Sequence, residues 1–113
     1  MASQVYDGAP RMFVPTVRTN LTAGENLKLK IIILAGNQPK EAALHWRPMG
    51  KGEYEKVPLN HIARGVYSVT LPAERIGKHD FEYHIKIRWC GGEEVYFPAS
   101  APQNNQTVLV TGP

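Results

Sequence analysis

Phe81-Glu82-Tyr83-His84-Ile85-Lys86-Ile87-Arg88-Trp89 alternates without a break, with Phe81, Tyr83, Ile85, Ile87 and Trp89 on one parity and only charged or polar side chains on the other. A period of two is the period of a β-strand, whose successive side chains point to opposite faces, so this segment reads as a strand with one face buried. Cys90-Gly91-Gly92-Glu93 follows as a tight turn that sends the chain back through Glu94 to Phe97.

Working outward, Leu27 to Leu34 places Leu27, Leu29, Ile31 and Ile33 on one face and Lys28 and Lys30 on the other, and its second half is apolar on both faces. That pattern predicts a central strand. Ala42 to Arg47 alternates Leu44 and Trp46 with His45 and Arg47 before Pro48 stops it. Pro48 to Glu53 then reads as a glycine-bearing hairpin connection to a return strand over Tyr54 to Val57. Gly65 to Leu71 and Gln106 to Val110 supply further strands. Met12-Phe13-Val14 is β-prone, but Pro15 confines it to an edge or a bulge. Thr19 to Asn26 reads as a polar turn, and Ala73 to Ile76 holds the one helical turn. About seven or eight short strands without a long helix predict an all-β, two-sheet sandwich and exclude a parallel α/β architecture.

The chain has 113 residues, the size of one domain, with an expected division into an N-terminal tether over 1–11 and a single sandwich over 12–113. Cys90 is the only cysteine, so no disulfide can form within the chain. Thirteen Lys and Arg against ten Asp and Glu give a formal net charge of +3, too small for a dedicated nucleic-acid binder. No apolar run approaches the roughly 20 residues that span a bilayer, and the N-terminus lacks the basic and apolar regions of a signal peptide. Neither nucleic acid nor membrane is an expected partner.

The segments His45-Trp46-Arg47-Pro48-Met49-Gly50-Lys51-Gly52-Glu53-Tyr54, Gly65-Val66-Tyr67-Ser68-Val69-Thr70-Leu71-Pro72 and Asp80-Phe81-Glu82-Tyr83-His84-Ile85 resemble the immunoglobulin-like or fibronectin type III-like accessory domains of bacterial carbohydrate-active enzymes. Pro98-Ala99-Ser100-Ala101-Pro102 and Gln106-Thr107-Val108 resemble the way such domains finish. The resemblance implies a sandwich, noncatalytic, secreted to the cell exterior or periplasm within a multidomain polysaccharide-processing protein and adjoining its catalytic domain. It carries over no binding residues. Trp46 stands where many sandwiches bury a tryptophan, and the missing disulfide favours the fibronectin-like or early-set variant over the antibody type.

Strand parity supplies the candidate site. If the strands over 42–47 and 81–89 are neighbours, then His45, Arg47, His84, Lys86 and Arg88 share one outward, basic face, with Tyr54 and Tyr96 arriving from the flanking strands. Aromatic rings suit the apolar face of a pyranose, and guanidinium groups suit the carboxylates of an acidic polysaccharide. Solvated charges are also the ordinary outcome on a half-buried sheet, so a plain spacer is an open reading beside a weak carbohydrate-binding surface. An interaction domain using an edge strand or the end loops is the alternative from another class.

Trp89 has inward parity, which favours a core cap over an exposed platform. His45, His61, His79 and His84 stand at no zinc-site spacing, and no cofactor or phosphate-binding motif is present. No pair of carboxylates, nucleophile elbow or activated thiol emerges, so catalysis is not expected. Asn20-Leu21-Thr22 and Asn105-Gln106-Thr107 fit the N-glycosylation pattern, which in a bacterial protein is chance.

Overall fold

The structure, a computed structural model, describes residues 11–15, 17–36, 38–49, 52–98, 101 and 105–111. Among them the strands are β1 (Arg11–Phe13), β2 (Asn20–Thr22), β3 (Leu27–Leu34), β4 (Glu41–Pro48), β5 (Glu55–Pro58), β6 (Asn60–Ala63), β7 (Val66–Leu71), β8 (Phe81–Arg88), β9 (Glu94–Phe97) and β10 (Gln106–Thr111). The helical turn α1 spans Ala73–Ile76, the segment expected for it. Two sheets form, in the orders β1-β3-β7-β6 and β2-β10-β8-β4-β5, with β9 also on β8. This is an immunoglobulin-like two-sheet β-sandwich, the fold class the strand pattern predicts.

β8 is the pivot of the larger sheet. One edge pairs with β4 along its whole length, from Pro48↔Phe81 to Glu41↔Arg88. The other edge is shared, β10 taking Phe81–Tyr83 and β9 taking Ile85–Arg88. A strand paired on both sides over nearly its whole length lies inside the sheet, where so regular an apolar stripe packs into the core. Phe81, Tyr83, Ile85 and Ile87 are buried there with Leu44, Trp46 and Val108. The opposing sheet contributes Leu27, Leu29, Ile31, Ile33, Tyr67, Val69 and Leu71. Trp46 meets Phe81 edge to face, with ring centroids 5.8 Å apart. Trp89 is 3% exposed and so packs as a cap on the core.

The structure has more strands than the seven or eight expected. β2 forms where a polar turn is predicted, because Leu21 is buried and Asn20–Thr22 finds ladder partners in parallel register with Leu109–Thr111. β6 has no apolar alternation because all four of its residues are exposed, and β7 alone pairs with it. β1 is an edge strand, as Pro15 requires, and β3 is central between β1 and β7. Of the expected tether over 1–11, residues 1–10 lie outside the described residues and Arg11 opens β1.

The Tyr83 hydroxyl is buried in the core without a protein hydrogen-bond partner, and burial raises its pKa. A hydroxyl desolvated without a bond costs about 1–3 kcal/mol. Tyr83→Phe is therefore expected to leave stability unchanged or raise it by up to about 1 kcal/mol, whereas Phe81→Ala should cost about 3–5 kcal/mol through the cavity it leaves. Urea denaturation of the two variants checks both signs.

Candidate functional site

The β4–β8 register sets His45 directly opposite His84 on the outer face of the larger sheet. Their imidazoles stack, with centroids 5.0 Å apart and planes 12° from parallel. Tyr54, just before β5, meets His84 edge to face at 4.9 Å. Tyr96 on β9 lies on its other side at 6.1 Å. Parity thus brings His45, Tyr54, His84 and Tyr96 into one cluster. His84 points outward but is only 6% exposed, because the surrounding rings cover it. Ala43, on the same parity, is 1% exposed. The centre of this outer face is covered by its own side chains.

The cations do not form a bare basic surface. Arg47 donates from Nε to Glu82 Oε2 at 2.8 Å and lies over the Tyr54 ring at 4.5 Å. Lys86 Nζ is 3.5 Å from Glu94 Oε2, and the same glutamate accepts a bond from the Tyr96 hydroxyl at 3.1 Å. Lys56, opposite His45 in the ladder, pairs with Glu41. Arg88 is exposed at the far end of β8. It stands six residues from Glu82, the partner of Arg47, so the two arginines are roughly 20 Å apart. They do not share a subsite.

Two residues beyond the expected site residues complete the cluster. Asn105, just before β10, donates from Nδ2 to the Tyr54 hydroxyl at 2.6 Å and to Glu82 Oε1 at 3.0 Å. Glu82 was legible as an outward-facing neighbour of His84, and its charge marks it as a partner for Arg47. Asn105 is distant in sequence from its partners Tyr54 and Glu82, and its local sequence gives no signal beyond its glycosylation pattern. That side chain is already committed to the cluster. His84 Nδ1 and Asn105 Oδ1 are both buried without a well-formed hydrogen bond.

The environment favours the neutral form of both histidines. Burial is the main cause of the lowered pKa of each. For His45 the charges of Lys56 and Lys86 add to it, against Glu41. For His84 the neighbouring His45, Lys86 and Arg47 add to it, against the Asn105 side chain. Among the described residues no group of three or more His, Cys, Asp or Glu side chains gathers as a metal set, and no helix is long and apolar enough to cross a membrane. Cys90 is exposed in the β8–β9 turn.

The outer face of this immunoglobulin-like sandwich is therefore a ring cluster bordered by ion pairs. No protein-family model matches the chain, and no curated relative matches it. Solved structures do match its fold. The endo-β-1,4-mannanase from Thermotoga petrophila aligns with 94% of this chain at 11% identity and a TM-score of 0.64, and the aligned part is 20% of the mannanase chain. Murine CRIg aligns with 94% of this chain and 99% of its own at 11% identity, with a TM-score of 0.50. The chain spans one fifth of the mannanase chain and nearly all of CRIg.

A histidine whose pKa is depressed by folding binds its proton more readily in the unfolded chain, where its value is about 6.5. The stability held by neutral His45 and His84 is present above that value and is lost as pH falls through their folded values. Urea midpoints should therefore drop between pH 7.5 and pH 5, and His84→Phe should flatten that drop.

Proposed function

We propose that this chain is a noncatalytic accessory module of a multidomain polysaccharide-active protein, and that the outer face of β4 and β8 is a weak contact surface for a neutral polysaccharide. The observation that carries the reading is the ring cluster of His45, Tyr54, His84 and Tyr96, held on a rigid sheet by Asn105 and Glu82. Sugars are bound by aromatic faces beside planar polar groups, and the half-buried Tyr54 and Tyr96 rings flank Arg47–Glu82 and Lys86–Glu94. The carboxylates on this face argue for a neutral chain over an acidic one, since an anionic sugar would have to displace Glu82 or Glu94 from its cation. The likeness to an endo-β-1,4-mannanase supports the setting, because the aligned part is a minor fraction of a longer chain. In such a setting a catalytic domain of the parent protein is the neighbour, and the module would lie outside the cell or in the periplasm.

Affinity electrophoresis through gels containing neutral β-1,4-linked polysaccharides tests the surface. The chain is expected to be retarded, and Tyr54→Ala with Tyr96→Ala is expected to weaken retention at least about fivefold, given about 0.5–1.5 kcal/mol for each aromatic contact. Unretarded migration on every neutral and acidic gel would leave the module as a spacer. Retention that survives the double substitution would place the contact elsewhere on the molecule.

A further inference from the structure

A crevice of about 550 Å³ opens at the end of the sandwich where β3 leaves for β4, remote in the fold from the β4–β8 outer face. Its floor is the core itself. Ile33 and Tyr67 are buried inward-facing side chains, and Pro39 lines the crevice from the β3–β4 connection. His61 on the edge strand β6 is the register partner of Tyr67, so both rings lie on the same face of the sheet. They stack with centroids 4.6 Å apart and planes 19° from parallel. Tyr67 is covered by this stack, and the exposed His61 ring forms the wall.

The chemistry of the lining is one-sided. Arg64 and His61 line the crevice with Gln38, and none of the lining residues is acidic. Arg64 is exposed in the β6–β7 turn, and among the described residues no carboxylate pairs with it. On the β4–β8 face, by contrast, Arg47, Lys56 and Lys86 each have a carboxylate partner. The turn that carries Arg64 is fixed. Ile33 N donates to Gly65 O at 2.8 Å, and Gly65 has φ +73°, with the Ile33 carbonyl oxygen 3.0 Å from where a Cβ would stand. Arg64 is thus presented at the rim on a rigid hairpin, beside an aromatic wall and above an apolar floor.

We propose that this crevice is a binding site for a uronic acid, with its carboxylate on the Arg64 guanidinium and the apolar face of its pyranose ring against His61. Guanidinium and carboxylate match as a two-bond fork, and an aromatic ring matches the C–H face of a sugar. Gln38 offers an amide that donates to and accepts from hydroxyls. The volume falls within the roughly 300–1,000 Å³ typical of small-ligand sites. The choice of a sugar among small anions rests on the polysaccharide reading above, whereas the choice of a carboxylate rests on Arg64 and the acid-free lining. Together the two sites would suit a polysaccharide whose backbone is uncharged and whose side groups include uronic acids.

Titration of the whole, isotopically labelled chain by NMR tests this, with glucuronic acid as the probe, glucose as the uncharged ring and acetate as the charge without a ring. Glucuronic acid is expected to shift the amides of residues 61–67 and 33–36, with glucose and acetate at least about tenfold weaker. Arg64→Ala should weaken glucuronic acid at least about tenfold, and His61→Ala should weaken it while leaving acetate unchanged. Arg64 and His61 are exposed, so both variants should retain the fold, which the remaining amide shifts report. The proposal is overturned if glucuronic acid shifts none of these amides, if glucose or acetate binds as tightly, or if Arg64→Ala has no effect. Tyr54→Ala with Tyr96→Ala should leave this titration unchanged, which separates failure here from failure of the polysaccharide surface.

Discussion

The antiparallel register between β4 and β8 is the constraint on which the remaining structure depends. Opposite residues of an antiparallel pair share a face, so Trp46↔Tyr83 and Leu44↔Ile85 face inward together and His45↔His84 faces outward. A slip of one residue on either strand would carry an aromatic row out of the core and bring charge into it. The apolar burial of both strands therefore fixes the register, and the register in turn assembles the outer cluster. The geometry of that face is a consequence of how the core is filled.

Much of this was legible in the chain because period-two alternation is a local signal. Phe81 to Trp89 and Leu27 to Leu34 each name their own buried face, and the parity of Ala42 to Arg47 then predicts which side chains meet across the sheet. Three features were not legible because they depend on distant partners. β2 is short and polar apart from Leu21, and its ladder is completed by Leu109–Thr111, far along the chain. β6 is exposed on both faces, so it has no alternation to read. The apparent basicity of the outer face was a matter of counting Arg47 and Lys86 without the acids that reach them. Glu82 on β8 pairs with Arg47 across the β4–β8 ladder, and Glu94 reaches Lys86 from β9.

The two candidate surfaces differ in how their charges are satisfied, and that difference separates their chemistry. On the β4–β8 face, ion pairs and hydrogen bonds tie the rings into a neutral, preorganised patch in which each cation of the cluster already has an anion. Such a surface favours ligands that exchange hydrogen bonds without displacing charge. At the end of the sandwich the Arg64 turn presents a cation with no acid in the lining beside it, above buried hydrophobic side chains. A site of that kind gains most from an anion. Both arrangements rest on rigid strands or a tight hairpin, where little side-chain ordering remains to oppose binding.

The register claim is tested most directly by proton NOE spectroscopy of the aromatic side chains. The account predicts cross-peaks between the His45 and His84 rings, and separately between the Trp46 indole and the Phe81 ring, with no contact between the Trp46 and His84 rings. A Trp46–His84 contact, or a His45 ring that meets Tyr83 or Ile85 instead of His84, would show a shifted register and contradict the placement of both the core and the outer cluster.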